Sequence, residues 1–280
     1  MGALCRPRGK AACPPGLDAG GPKGDAAVSV RTPHLAGVLK HLNRPGLGHG
    51  WGLPEALIGF GLGLLISLVT AGIAESATGY HPDSSAALPV AVIVANVAGL
   101  WVGLAAAAVY ASRRHGTASL SRDFGWRVGT WWELPAGAAV GLACQYGLIP
   151  LLYLPFESFD HSLSHQLSEP VNRDTGAAHT VPAVAVLLVF LAIGAPLIEE
   201  LFFRGLLLRA LLGRMPVPFA IIVSSVLFAL AHFEAVQLAG LAAFGVVLAY
   251  MAWRSGRLGL SIGAHMAFNA AAVLSVVSLR

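Results

Sequence analysis

Long apolar segments are the feature that most constrains how this chain can fold. They lie at about residues 55–74, 86–111, 133–154, 182–203, 217–235, 237–253 and 259–278. A helix needs about 20 such residues to cross a hydrocarbon core about 30 Å thick. Hydrophobic residues make up 56% of the 280 residues and charged residues only 11%, which excludes an ordinary soluble domain. The sequence predicts an all-α, polytopic membrane helix bundle with about seven transmembrane helices.

Basic residues are concentrated in alternate connections between these segments. Seven precede the first segment, and further arginines follow the second, fourth and sixth segments: Arg113, Arg114, Arg122, Arg127, Arg204, Arg209, Arg214, Arg254 and Arg257. Lys and Arg in short loops stay cytoplasmic, so the pattern predicts a multi-pass protein of the cell membrane with a cytoplasmic N-terminus. The net charge of +4 then reflects topology. The sequence has no basic stripe interleaved with aromatic residues, so it does not indicate binding to nucleic acid.

The chain divides by composition. Residues 1–50 are rich in Gly, Pro and Ala without helical periodicity, which predicts a flexible cytoplasmic tail. Residues 51–130 are predicted to form N-terminal transmembrane helices. Residues 131–280 form a second helical region, and it contains a set of polar residues at membrane depth.

These polar residues are the candidates for function, because ionisable side chains inside a membrane cost several kcal/mol each. Glu199 and Glu200 lie at the end of the fourth segment, and Arg204 follows it directly. Glu200 and Arg204 are four residues apart with the acid first, the favourable order for a helical ion pair. Glu199 points elsewhere on the helix and has no local cation. A carboxylate in that position suits a general base, so Glu199 is the predicted base.

Two histidines extend the candidate site. Phe228 and His232 are four residues apart in the fifth segment, as are His265 and Asn269 in the seventh, so each pair is predicted to share a helical face. If the fourth helix continues through Leu212 and turns at residues 213–218, Glu199 and His232 lie roughly 22 Å and 21 Å from the same turn. The hairpin would bring them level, facing one cavity with His265 and Asn269.

The chemistry of this set leaves two interpretations open. Glu199 and a neutral histidine can activate water, while Asn269 and a histidine N–H donate to the oxyanion of an attacked carbonyl. Peptide hydrolysis without a cofactor follows from that arrangement. Alternatively, His232, His265 and Glu199 form a zinc ligand set of the kind found in hydrolases. The helical His-Glu-x-x-His pattern of zinc proteases is absent, which favours the metal-free site.

Three motifs occur in order on successive segments: Glu-Glu-x-x-x-Arg at Glu199, Glu200 and Arg204, Phe-x-x-x-His at Phe228 and His232, and His-x-x-x-Asn at His265 and Asn269. Together they closely resemble the type II CAAX prenyl endopeptidase and bacteriocin-processing (CPBP) family of intramembrane proteases. The resemblance covers roughly residues 130–280 and makes residues 131–280 a CPBP-like protease core.

The resemblance implies an all-helical bundle that cleaves membrane-associated proteins or peptides, lipidated ones included. It implies that Glu199 activates water, His232 positions it, and His265 and Asn269 form the oxyanion site. Glu200, Arg204 and Phe228 would support these groups. The resemblance leaves the metal question open. The chain looks more like a bacterial than a eukaryotic member of the family.

Three other functions fit the sequence less well: a serine hydrolase, a non-catalytic membrane protein and a proton-coupled carrier. Gly259-Leu-Ser261-Ile-Gly263 matches a serine-hydrolase motif, but that motif needs a strand-to-helix elbow, and here it opens an apolar helix where small residues are typical of packing seams. A membrane binding or immunity protein that keeps the pocket without cutting is the main alternative. A proton-coupled carrier would show broken helices in matching halves, which the sequence does not indicate.

Overall fold

A computed structural model describes residues 52–81, 88–157, 162–175 and 180–278, so the predicted tail over residues 1–50 lies outside it. The described residues form helices and no strands. The helices are α1 (Leu53–Thr78), α2 (Val90–His115), α3 (Leu120–Phe124), α4 (Glu133–Glu157), α5 (Leu163–Thr175), α6 (Val181–Leu212), α7 (Val217–Leu230), α8 (Leu238–Ser255) and α9 (Gly259–Ser278).

Each of the seven predicted apolar segments contains a helix. Five helices, α1, α2, α4, α6 and α8, are long and apolar enough to cross a membrane, and α7 and the 259–275 part of α9 are shorter apolar helices. The prediction of an all-α polytopic bundle is confirmed. The short helices α3 and α5 were not predicted, because neither belongs to an apolar run.

The end of the fifth segment was predicted wrongly. We expected one helix over 217–235 with Phe228 and His232 on one face, but α7 ends at Leu230. The next residues form a tight turn in which the Phe233 amide donates to the Leu230 carbonyl. Phe233 adopts a positive φ of 56°, a conformation that a helix cannot continue through. His232 therefore lies in a turn beyond the helix.

Helix α6 is the central element of the bundle. It begins at Thr180, whose side chain accepts a hydrogen bond from the Ala183 amide, and it runs through to Leu212 as expected before turning into α7. Every residue from Glu200 to Leu207 is buried. Helices α1, α2, α7, α8 and α9 all contact α6. Glu200 and Arg204 thus lie at the centre of the described helices.

Small residues let the surrounding helices approach closely. Helix α1 packs along α2, and α4 packs along α9. A methyl group added to Gly137 or Gly141 of α4 would overlap the backbone of α9 at Leu260 or Ala264. Such seams are typical of membrane helix pairs, where backbone proximity replaces the hydrophobic effect as the driving force.

Three of the arginine-rich connections meet at one end of the bundle. Arg209, near the end of α6, donates hydrogen bonds to the carbonyls of Asp123 at 3.2 Å and Gly256 at 3.1 Å. The Leu258 amide donates to the Gly125 carbonyl at 2.9 Å. The loop after α2, the end of α6 and the loop before α9 therefore share one face, as the alternating charge pattern requires.

Candidate active site

The backbone of α6 departs from a regular α-helix beside the candidate residues. Residues Leu188–Gly194 and Glu200–Leu207 form wider, π-type turns, separated by the single α-helical turn Ala195–Glu199. Wider turns are uncommon and frequently mark functional sites. Here the second one begins at Glu200, so the two adjacent glutamates stand at the junction between the two backbone forms.

Glu200 and Arg204 form the buried ion pair expected from their spacing. The Arg204 Nη1 and Glu200 Oε1 atoms are 2.9 Å apart, and both side chains are fully buried. The Arg204 guanidinium also lies over the Phe228 ring, 4.1 Å from its centroid, and its Nη2 donates to the Gly245 carbonyl at 3.4 Å. An aromatic face stabilises a desolvated cation, so α7 and α8 both help to hold this charge inside the bundle.

His265 lies between the two glutamates. Its Nδ1 is 3.0 Å from Glu200 Oε1, and its Nε2 is 3.8 Å from Glu199 Oε2. An ionised carboxylate accepts hydrogen bonds and cannot donate them. With Glu200 ionised beside Arg204, the His265 Nδ1 carries the hydrogen and donates it. The Nε2 of His265 then faces Glu199.

Glu199 and Glu200 have different access to substrate. The Glu199 side chain is 15% exposed, whereas Glu200 is 0% exposed. Within the described residues, the buried Oε2 of Glu199 has no hydrogen-bond partner. A partly exposed carboxylate can take a proton from water, and Glu200 lacks that access.

The other two predicted residues lie on different elements: His232 in the turn after α7 and Asn269 in α9. His232 is half-buried, and its Nδ1 lies 2.8 Å from the Phe228 carbonyl. The Phe228 ring packs edge-on against both histidines, with centroids 4.7 Å from His232 and 5.6 Å from His265. Asn269 lies one turn beyond His265, and its amide nitrogen donates to the Leu191 carbonyl at 2.8 Å. That nitrogen carries a second hydrogen available for another bond.

The proposed zinc ligand set does not fit this arrangement. Among the residues that the structure describes, no three His, Cys, Asp or Glu side chains form a group that could hold a metal ion. We therefore derive no step through a metal from His232, His265 and Glu199.

Ser261, in the serine-hydrolase motif, lies in the first turn of α9 close to Glu200. It is fully buried, and its hydroxyl donates to the Leu258 carbonyl at 3.2 Å in the first turn of α9. A methyl group on Gly263 would overlap the backbone of Leu134. The small residues of this motif belong to the seam between α4 and α9, which supports the packing interpretation.

Two residues of α8 that contact the site were not predicted. The Phe244 ring packs edge-on against His265, with centroids 5.7 Å apart, and the adjacent Gly245 supplies the carbonyl that binds Arg204. Both sit in an apolar run without charge or motif. A backbone carbonyl carries no side-chain signal, so only the fold could reveal this contact.

Comparison with known proteins agrees with this geometry. Residues 181–271 match the family model of the type II CAAX prenyl endopeptidase Rce1-like proteins. This segment contains all seven candidate residues. This part of the chain is therefore similar to the CPBP family, and the three motifs lie within it.

One curated relative supports the assignment over a limited length. The chain is 30% identical over 94 residues to "Putative membrane peptidase YdiL" of Bacillus subtilis strain 168. The aligned part covers 34% of this chain and 38% of that protein, so the chain spans about two fifths of the length of the relative it matches. No solved structure matches.

Proposed function

We propose that this protein is an intramembrane endopeptidase in which Glu199 activates water. The observation that carries the proposal is the continuous contact from Arg204 through Glu200 and His265 to Glu199. The buried end of this series is paired and fixed, and the other end is partly exposed. Such an arrangement orients a functional group from behind while leaving it open to substrate.

In the proposed mechanism, Glu199 takes a proton from water as the oxygen attacks the substrate carbonyl carbon. A bond forms between that oxygen and carbon, and the carbonyl oxygen becomes an oxyanion. The proton then passes to the leaving amine as the carbon–nitrogen bond breaks. Glu200 holds the orientation and tautomer of His265, which exchanges the proton with Glu199.

His232, Asn269 and His265 complete this proposal. His232 positions the attacking water from the turn after α7. The second amide hydrogen of Asn269 and the Nε2–H of protonated His265 donate to the oxyanion, which preorganised donors stabilise in a site shielded from water. The reaction as written uses no metal.

The proposed substrate is a membrane-embedded or lipidated protein or peptide. A site enclosed by apolar helices is reached most directly by a chain already in the bilayer, and the family name describes cleavage at prenylated CAAX sequences. We place the N-terminus and the arginine-rich end of the bundle on the cytoplasmic side, because that end gathers the arginines of three connections.

Cleavage of reporter peptides by the purified full chain tests this function. The panel contains a membrane-embedded peptide and a lipidated peptide, and wild type is compared with Glu199→Gln, with metal content measured and a chelator added in parallel. General base catalysis contributes about 10²- to 10⁴-fold, so Glu199→Gln should lose at least 10²-fold in rate. We expect wild-type cleavage to resist the chelator.

Leu274→Phe is a matched control, since Leu274 is exposed on α9 away from the buried cluster and its substitution should leave cleavage unchanged. Cleavage that disappears with the metal would contradict the metal-free mechanism. An active Glu199→Gln would remove Glu199 as the base. Absence of cleavage of every reporter would favour the non-catalytic binding or immunity protein.

A further inference from the structure

A cavity lies beside the catalytic cluster and is not used by the mechanism above. Its volume is about 230 Å³, and α4, α5, α8 and α9 contribute to its walls. The lining includes Gln145, Tyr153, Leu167, Gln237, Phe268 and Ser275. Pockets for drug-sized ligands measure about 300–1,000 Å³, so this cavity suits a segment of a few residues.

Most polar groups of this cavity are bonded to the protein. Tyr153 donates to the Val236 carbonyl at 2.8 Å and accepts from the Gly240 amide at 3.0 Å. Gln237 donates to the Leu167 carbonyl at 2.7 Å. These bonds join α4, α5 and α8 around the space, so the cavity is a built feature of the fold.

Gln145 differs from these groups. Its Oε1 is buried and has no hydrogen-bond partner within the described residues. A buried acceptor left unpaired costs about 1–3 kcal/mol, and such a group in a native fold requires an explanation. Gln145 also lies in a π-type turn, Cys144–Leu148, inside α4, and turns of this kind frequently occur at functional sites.

The cavity is connected to the catalytic cluster through α9. Phe268, in its wall, stacks on Phe244 with centroids 4.0 Å apart, and Phe244 packs against His265. Phe268 and Ser275 lie three and ten residues beyond His265, or about 4.5 Å and 15 Å along the helix. An extended peptide covers that interval in about three residues at 3.3 Å per residue.

We propose that this cavity binds a short extended segment of the peptide substrate on one side of the scissile bond, and that Gln145 Oε1 accepts a hydrogen bond from a substrate backbone N–H. The inference rests on the proposed function, since it assigns a binding subsite to that protease. The cavity combines an apolar wall at Phe268 with one unused acceptor. A peptide backbone supplies the matching donor at every residue except proline.

The test measures binding separately from cleavage. The full chain carrying Glu199→Gln is titrated with fluorescent copies of the reporter peptides, each methylated at one backbone nitrogen in turn. With Gln145 present, methylation at one position should weaken binding about tenfold, the size of one hydrogen bond. Adding Gln145→Leu should weaken the unmethylated peptide about tenfold and abolish the sensitivity to methylation at that position.

Two further variants control for effects on the fold. Ala272→Leu puts bulk into the cavity, where Ala272 is a lining residue, and should weaken binding without touching Gln145. Leu274→Phe adds bulk on the exposed side of the same helix and should leave binding unchanged. Gln145→Leu binding as tightly as its parent, no reporter binding at all, or equal sensitivity to methylation with and without Gln145 would each overturn the proposal. The expected binding pattern without wild-type cleavage would instead refute only the catalytic function.

Discussion

Glu133 and Glu200 are both buried carboxylates that pair with an arginine. The two pairs differ in which of their polar atoms lack a hydrogen-bond partner. Glu133, at the start of α4, accepts from Arg257 through both Nε and Nη2, and its other oxygen accepts from the Gly129 amide at 2.7 Å. In the Glu200 pair, the buried Nε of Arg204 has no hydrogen-bond partner within the described residues, and the shared oxygen Oε1 also receives a histidine.

The difference indicates two roles. The Glu133 pair joins the loop before α9 to the start of α4, and each of its oxygens is bonded, so it fixes two distant parts of the chain. The Glu200 pair lies within one helix, and its carboxylate also contacts His265, which faces Glu199. A polar cluster that is costly and incompletely bonded is expected where the structure supports chemistry rather than stability alone.

Removing the arginines should give the largest effects and compares the pairs directly. Arg204→Ala leaves Glu200 fully buried without its cation, which costs about 3–5 kcal/mol, so we expect poor yield or early thermal unfolding in detergent. Arg257 is 33% exposed, and water can replace part of its contact in Arg257→Ala. That variant should have an unfolding temperature between those of wild type and Arg204→Ala. Normal yield of Arg204→Ala with selective loss of turnover would contradict this order.

Neutralising either glutamate weakens a buried pair and should lower stability, so the two pairs should be separated by their effects on activity. Glu200→Gln keeps the size of the side chain but weakens its hold on the His265 tautomer, and we expect a fall in kcat of about 10- to 100-fold, as for other groups that orient a functional histidine. Glu133→Gln should lower the unfolding temperature with kcat nearly unchanged. Measurements of steady-state cleavage and thermal unfolding on both variants test this difference. Equal loss of kcat in the two would remove the distinction between the pairs.

The sequence was sufficient for the parts of this arrangement that depend on local spacing. Glu200 and Arg204 pair as an i, i+4 interaction predicts, and α6 turns after Leu212 as its Gly and Pro residues indicate. The early end of α7 could not be foreseen, because the apolar run continues past Leu230 and only the backbone turn at Phe233 stops the helix.

The long-range contacts were beyond sequence reasoning. Arg257 was interpreted only as a topological charge, and its partner Glu133 is 124 residues away. The contact of His265 with Glu200, rather than with Glu199 alone, depends on how α9 lies against α6. Glu200 was assigned a supporting role, and the structure shows its contacts with Arg204 and His265. The roles of all the site residues stay predictions.

The pH dependence of cleavage sharpens the comparison, since of the two pairs only the Glu200 pair is connected to the base Glu199. If ionised Glu199 accepts the proton, log kcat/KM should rise by one unit per pH unit on the acid side and then level off. Glu133→Gln should leave that profile in place, whereas Glu200→Gln should move its midpoint. A rate that is flat from pH 4 to 8 would exclude Glu199 as the general base.

Asp123 extends the comparison to a carboxylate outside the membrane-spanning helices. Burial acts to raise its pKa, but hydrogen bonds from the Ser112 hydroxyl and from the Thr117 hydroxyl and amide outweigh it and hold the pKa below its ordinary value. A lowered folded-state pKa stabilises the protein above the unfolded value of about 3.9, and that contribution is lost as the pH falls through the folded value.

Asp123→Asn should therefore unfold at a slightly lower temperature than wild type at pH 7, and the two should converge below about pH 3.9. We expect this to be the smallest of the four effects, because Asp123 is partly exposed and water can replace its partners. Cleavage at pH 7 should be unchanged. A loss of turnover comparable with that of Glu200→Gln would mean that a fully bonded carboxylate far from His265 also serves the site, and that unused bonding capacity does not distinguish functional pairs from structural ones.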